Sequence, residues 1–565
     1  MLPVTIGVEA GASYPPLLGT GGNEGRLEYT NVFMRRVAVL MSADSAAISE
    51  GLLRNALFGT AATGLTIEPV GQHDPGRAGG FNQGAGIEQK KFPTNPWNFI
   101  LAIEGAIVWS SGVARRHGVS TTRLLASPFT VHSRAIGYAS SSEAEQSKRR
   151  TAEIWTPIWD RPANYREVRA FFAEGRADVG NHPAADAIGF AEAVGSLGVD
   201  RGVSSFIRYV LLKRRGDSYI ALPAGRFPVH YCAESDLLRE ELEPILHRLD
   251  RFLRRLGKQT PASLTSARRR IDDTIYELLL RGGPPRVKAL IASIGNLELL
   301  LSRRDPARDM PDQPLGGLSA RWIAAADDGT AELRLAAALS SIRSAGAVGS
   351  IRVNLVPVDP AHPRSWATGA AQTSWVGNSL ASRIASVAVR RVMDMQRLSV
   401  EGSAFDAALS LCPEDVAIFL DGDVDDALLE DLLFGCLWID WSGSNSRVAI
   451  AELRSRWSRP LSNRPVSRAW ALLKLLFSGS TLRGPAEQVF KPRAEPSILP
   501  LLSTGRIADA CRIAQRRLLI SGLSPLRVDF ADSGDGIRVA ASLLFPVRMT
   551  RLTHWSLAQA GGQNV

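Results

Sequence analysis

Ser235-Asp-Leu-Leu-Arg-Glu-Glu-Leu-Glu-Pro-Ile-Leu-His-Arg-Leu-Asp-Arg-Phe-Leu-Arg-Arg-Leu-Gly257 is the stretch whose reading decides the fold class. Leu237, Leu238, Leu242, Ile245, Leu246, Leu249 and Leu253 recur at the three- and four-residue spacing that lines one face of an α-helix. Ser235 offers an N-cap hydroxyl and Gly257 a stop, so the spacing predicts one amphipathic helix over 235–257. The same pattern continues through 261–281, 285–303 and roughly 318–344, with a Pro/Asp-rich break at 305–317. It returns over 380–396, 424–437, 466–477 and 504–519. Between them, 350–378 is irregular, punctuated by Pro357, Pro360 and Pro363.

Upstream of Ser235 the pattern changes. Residues 1–92 are glycine-rich, with one good helix over 31–41. Asn95-Pro96-Trp97 places an N-cap before a proline at the first helical position and opens a helix to about residue 112. Residues 140–150 are polar and read as an exposed loop or a frayed helix. Helices over 164–174 and 184–197 are each closed by glycine. Residues 203–215 read as a further helix, and 217–229 alternate as a short strand pair. The expected fold is therefore α+β and predominantly helical. A mixed α/β body over 1–234 precedes a helical domain over 235–349, an irregular linker over 350–379 and a C-terminal helical bundle over 380–565.

With 565 residues the chain exceeds what one compact core organises, which fits that division. Its 66 Lys and Arg outnumber 56 Asp and Glu, a formal net charge of +10. Such an excess favours a polyanionic partner, because each phosphate neutralised releases condensed counterions. Eight of the basic residues are lysine and 58 are arginine, whose planar fork holds phosphate bidentately and stacks on bases. The four cysteines, Cys232, Cys412, Cys436 and Cys511, lie far apart without zinc-site spacing, and they predict reduced core residues. The first nine residues lack the basic and apolar regions of a signal peptide. The most apolar run, 99–108, is interrupted by Glu104 and is too short to span a bilayer. These features predict a cytoplasmic protein with no membrane partner.

Two glycine-rich loops draw attention. Gly19-Thr-Gly-Gly-Asn-Glu-Gly-Arg26 contains neither the Lys-Ser/Thr of a phosphate loop nor a preceding strand. What remains is a run of backbone amides able to approach an anion, with Asn23 and Arg26 beside them. Pro75-Gly-Arg-Ala-Gly-Gly80 sets Arg77 in a loop from which it reaches a phosphate or a base edge. Asn82 and Arg201 are further candidates of the same kind.

An enzymatic alternative centres on Ala417-Ile-Phe-Leu-Asp-Gly-Asp-Val424. An apolar run before Asp421-x-Asp423 is similar to the first motif of haloacid-dehalogenase-type phosphatases, a metal-dependent phosphohydrolase chemistry. Lys474 or Lys491, with Asp529 and Asp532, would have to complete that site. The competing reading is two helix starts. Cys412-Pro-Glu-Asp puts proline and acids in a first turn, and Asp423-Val-Asp-Asp opens the next helix.

Taken in order, Pro15-Pro-Leu-Leu-Gly-Thr-Gly-Gly-Asn-Glu-Gly-Arg26, Leu53-Arg-Asn-Ala-Leu-Phe-Gly59, Asp74–Gly80, Asn95-Pro-Trp-Asn-Phe-Ile-Leu-Ala-Ile-Glu-Gly-Ala106, Glu153-Ile-Trp-Thr-Pro-Ile-Trp159 and Gly198-Val-Asp-Arg-Gly-Val203 resemble one family. It is the Csx-seventeen family, the Cas-eight-like large subunit of the type I-U (I-G) CRISPR effector. The resemblance covers essentially the whole chain and is strongest over 15–230. It implies a non-catalytic subunit of a Cascade-type complex, with no cofactor. The implied partners are the other Cascade subunits, a CRISPR RNA, target double-stranded DNA and a recruited helicase-nuclease. In such a complex base pairing reads the target, while protein reads a short motif and backbone shape. Family members carry a sizeable segment before the Pro-Pro-Leu-Leu-Gly-Thr stretch, which here begins at residue 15, as expected of a shortened homologue, a fragment or a mis-called start. An internal start at Met393 or Met395 would yield a separate small subunit from the C-terminal helices. A purely structural scaffold is a further alternative.

Overall fold

The computed structural model describes residues 29–69, 91–111, 114–115, 125–126, 129–131, 150–174, 178–179, 182–184, 186–197, 202–213, 219–304, 310–343, 348–362, 364–367, 373–398, 405–478, 482–483, 489–490, 494–521 and 534–549. The fold is α+β and predominantly helical. The chain divides into two compact units, one of Met1–Ser235 with Ile275–Leu280, the other of Asp236–Thr274 with Arg281–Val565.

In the first unit, α1 (Tyr29–Leu40), α2 (Ala46–Phe58) and α3 (Pro96–Ser111) enclose a small core of Leu40, Leu52 and Ile100. Asn95 starts α3 as its sequence predicts. Its Oδ1 accepts from the Trp97 amide at 3.0 Å, and its Nδ2 donates to the Leu52 carbonyl at 2.6 Å, so one side chain both caps α3 and ties it to α2. The sequence does not predict α2, because Ser49 and Gly51 weaken its helical signal.

After the antiparallel pair β1 (Thr66–Pro69) and β2 (Lys91–Thr94), that unit is built on a four-stranded antiparallel sheet of β3 (Thr130–Val131), β4 (Arg150–Trp159), β5 (Val203–Lys213) and β6 (Tyr219–Pro228), in the order β6-β5-β4-β3. The helix expected over 203–215 is thus strand β5, and 219–228 is a single strand paired with it. Val203, Phe206, Ile207, Tyr209 and Val210 are β-formers, and the strand alternates. Arg208 disguises that alternation by standing on the core face, where it is fully buried. Its guanidinium clasps Glu153 of β4 bidentately, Nε to Oε2 at 2.5 Å and Nη2 to Oε1 at 2.8 Å, and lies 5.3 Å from the Tyr276 ring. Two helices, α4 (Tyr165–Glu174) and α5 (Ala187–Leu197), add the aromatic core. Trp155 meets Phe190 at 4.5 Å, and Phe129 meets Phe171 at 4.9 Å.

The second unit is helical. The 235–257 stretch forms a short α-turn, a π-turn over Leu238–Leu242 and then α6 (Glu243–Leu256). The π-turn has a local cause: Pro244 has no N–H and interrupts the ladder there, while the Glu243 amide reaches back to Leu238. Phe252 is buried and Leu253 only half-buried, so the inner face runs one residue earlier than the leucine pattern indicates. There follow α7 (Ala262–Arg281), α8 (Pro284–Ser302), α9 (Arg321–Ala326) and α10 (Ala331–Ser340). The single helix expected over 318–344 is split at Asp327–Gly329, where Gly329 takes a φ of 78°.

Five helices complete the order before the C-terminal segment: α11 (Leu380–Arg397), α12 (Pro413–Leu420), α13 (Asp426–Cys436), α14 (Arg447–Arg456) and α15 (Arg468–Leu476). They are followed by α16 (Ile498–Ser503), α17 (Ile507–Ile520) and α18 (Gly536–Ser542). Helix α8 crosses α13 backbone to backbone. A Cβ at Gly295 would overlap the Asp431 carbonyl, and one at Gly435 the Ile291 carbonyl. One turn beyond, the buried Glu298 carboxylate accepts from Arg352 at 3.2 Å and from the Trp438 indole at 3.0 Å. Burial raises its pKa, opposed by the Arg352 charge.

The 350–379 stretch differs from the linker its prolines suggest. Ile351, Val353, Leu355, Val356 and Val358 are buried, and Trp366 donates to the Pro311 carbonyl at 2.6 Å. The prolines there punctuate turns inside the unit, which joins 281–349 to 380–565 through α8, α10 and α13. Met393 and Met395 lie in the last turns of α11, which packs on α18, so a product starting there would lack most of that helix. Among the described residues no helix is long and apolar enough to cross a membrane.

Candidate nucleic-acid interface

Asn23, Arg26, Arg77, Asn82 and Arg201 all lie outside the described residues. The arginine pairs elsewhere in the sequence divide into two kinds. Among the described residues, several are engaged within the fold. Arg268 is buried on α7 between Asp250 at 2.8 Å and Asp272 at 2.5 Å. Arg391 is buried on α11, donating to Asn354 Oδ1 at 2.9 Å and the Gly349 carbonyl at 3.1 Å, and burial pushes it down to about 10. Its neighbour Arg390 holds Asp394 at 2.8 Å, and Arg517 holds Glu495.

The pair Arg254-Arg255 belongs to a different arrangement. Ile245, Leu246, Leu249 and Phe252 turn one side of α6 inward. His247, Arg251 and Arg254, spaced four and three residues apart, are exposed on the other side, and Lys258 is exposed in the turn that follows α6. At 1.5 Å per residue the helical part of this row, His247 to Arg254, is about 10 Å long. It is long enough to run beside several phosphates of one strand, which recur roughly every 3.4 Å along a duplex axis.

The electrostatics of the row follow from what α6 does with its acids. Asp250 is the one acidic residue between His247 and Lys258, and Arg268 takes it at the inner side. Arg251 and Lys258 have no hydrogen-bond or ion-pair partner among the described residues. Arg248 donates to the Gly316 carbonyl at 3.3 Å. Its pKa is lowered by partial burial and then by repulsion from Arg251 and Arg364. Arg364, on the turn after Asp359, lies 3.8 Å from the Asp440 carboxylate. Arg255, at the row's edge, is held by Asp312 and by the Met310 carbonyl at 2.9 Å. Glu243 lies 3.7 Å from His247, which leaves Arg251, Arg254 and Lys258 as the cations of the row with no ion-pair partner among the described residues, and an approaching polyanion relieves the repulsion between Arg251 and Arg248.

The sequence matches no family model and no curated protein.

Among the described residues the phosphohydrolase constellation does not assemble. Residues 413–420 are helix α12 and not a strand, Asp421 is its C-cap, and Gly422 turns with a φ of 82°. Asp425 caps α13, accepting from the Ala427 and Leu428 amides at 3.0 and 3.1 Å. The exposed carboxylates of Asp421 and Asp423 are bridged by Arg464, at 3.0 and 2.5 Å. Lys474 is engaged elsewhere, on main-chain carbonyls, while Lys491, Asp529 and Asp532 lie outside the described residues. Among the described residues no three His, Cys, Asp or Glu side chains are grouped to hold a metal ion.

Proposed function

We propose that this protein is a non-catalytic, nucleic-acid-binding large subunit of a type I-U (I-G) CRISPR effector complex. The observation that carries the nucleic-acid part is the row His247, Arg251 and Arg254 on α6 with Lys258 in the turn after it, joined by Arg248, whose one intervening acid is sequestered by Arg268. Arginines exposed along one side of a helix are suited to a phosphate backbone, which they grip without reading sequence. The net charge of +10 acts in the same direction at longer range. The assignment to this family rests on the ordered segments between Pro15 and Val203. On this reading the partners are companion subunits, a guide RNA, target duplex DNA and a helicase-nuclease that acts on the opened target. Charge reversal at Arg251→Glu with Arg254→Glu is the direct test. Target-duplex binding by the assembled complex is lost if the row grips phosphate. Unchanged binding would leave a scaffold role and overturn the proposal.

A further inference from the structure

We propose that Lys474 is a proton-operated latch on the C-terminal segment 536–548: protonation of its amine loosens that segment from the helical unit, and deprotonation tightens it.

Lys474 lies on α15 and is 1 % exposed. Its Nζ donates to the Leu543 carbonyl at 2.6 Å and to the Phe477 carbonyl at 3.4 Å. Phe477 is the C-cap of α15 and Leu543 the C-cap of α18, so one amine joins the carbonyl ends of two helices. The Phe405 ring lies 5.5 Å from the amine and is itself 6.1 Å from the Phe477 ring. The segment that Leu543 belongs to packs on α11, α12 and α16. It is further held by Phe545 against Phe419 at 5.0 Å and by the pairing of Leu411 with Pro546 and Arg548.

Among the described residues no charged side chain is a partner of Lys474. On α18, Arg538 is committed to Asp426 at 2.8 Å. On α17, Asp509 is shared by Arg506 and Arg512, Arg517 holds Glu495, and Cys511 is buried. Neither these groups, nor Arg516 on α17, Arg468 on α15 or Asp406 beside Phe405, is a hydrogen-bond or ion-pair partner of Lys474. A buried ammonium without a carboxylate is costly. Burial pushes this one down from 10.5 to about 7.

Opening the segment returns the amine to water and to its ordinary affinity for protons. Between about pH 7 and 10.5 the open form therefore binds more protons than the closed one, and the closed form gains as pH rises through that window. Below about pH 7 both forms are protonated and the gain is absent. The opening constant of 536–548 then rises about tenfold between pH 8 and pH 6. The acid-side consequence is exposure of the α11 and α12 surfaces that α18 covers. The latch is independent of the proposed nucleic-acid role.

Hydrogen exchange of the full chain at pH 6, 7 and 8, corrected for intrinsic exchange, tests this with α13 as internal reference. Protection of 536–548 relative to α13 should rise about tenfold from pH 6 to pH 8. In Lys474→Arg, which stays charged throughout, and in Lys474→Met, which is never charged, that pH dependence should vanish. Should both variants misfold, the wild-type profile alone decides. A pH-independent ratio in the wild type, or an unchanged dependence in either variant, overturns the latch.

Discussion

Asp250 and Arg268 face each other from α6 and α7, Nε to Oδ1 at 2.8 Å and Nη2 to Oδ2 at 3.2 Å. This pairing takes the one acid of the row's stretch out of the field that His247, Arg251, Arg254 and Lys258 create. It makes the same interaction serve packing and charge. Replacing Asp250 with alanine leaves Arg268 buried with Asp272 as its remaining carboxylate. The expected loss is about 1–3 kcal/mol of unfolding free energy, read by chemical denaturation. Nucleic-acid affinity at a temperature well below unfolding should not fall. A stability equal to wild type would show that the pair is dispensable.

The crossing of α8 and α13 depends on two glycines. Alanine at Gly295 or Gly435 meets a carbonyl oxygen of the opposite helix, and backbone cannot step aside as a side-chain tip does. Each substitution is expected to cost at least about 1–3 kcal/mol. Gly51, inside α2 with nothing near its hypothetical Cβ, is the matched control. There alanine is expected to stabilise by about 0.5–1 kcal/mol. Thermal unfolding of the three variants checks the contrast, and equal effects at Gly295 and Gly51 would refute it.

Arg26 and Arg77, in their glycine-rich loops, are expected to bind phosphates of their own. Alanine at both should lower the slope of log affinity against log salt by about 1 for every phosphate no longer neutralised. An unchanged slope and affinity would remove both residues from the interface.

Much of the helical half is legible in the sequence because its cause is local. Pro413, the acids Glu414 and Asp415, and Asp425 place α12 and α13 by capping rules that need no tertiary partner. At Asp421 and Asp423 the same local signals compete with an enzymatic reading, and the Arg464 bridge between the two carboxylates, 43 residues from Asp421, is invisible to spacing. Strand β5 reads as a helix because Arg208 occupies a core position that an alternation rule assigns to an apolar residue. Its partner Glu153 is 55 residues distant. The row on α6 is present in the sequence as a three- and four-residue spacing of cations. Its significance depends on where Asp250 points, which α7 decides. Burial of Ile351, Val353 and Leu355 is likewise hidden behind prolines that mark turns as readily as linkers.

The central claim is that α6 lies along a nucleic-acid backbone. The measurement that bears on it most directly is the salt dependence of target-duplex binding by the complex assembled with its companion subunits and guide. Wild type is compared with a variant carrying Arg251→Ala, Arg254→Ala and Lys258→Ala. Loss of affinity together with a slope reduced by about 3 is the predicted result. Identical slopes and affinities for the two proteins would contradict it.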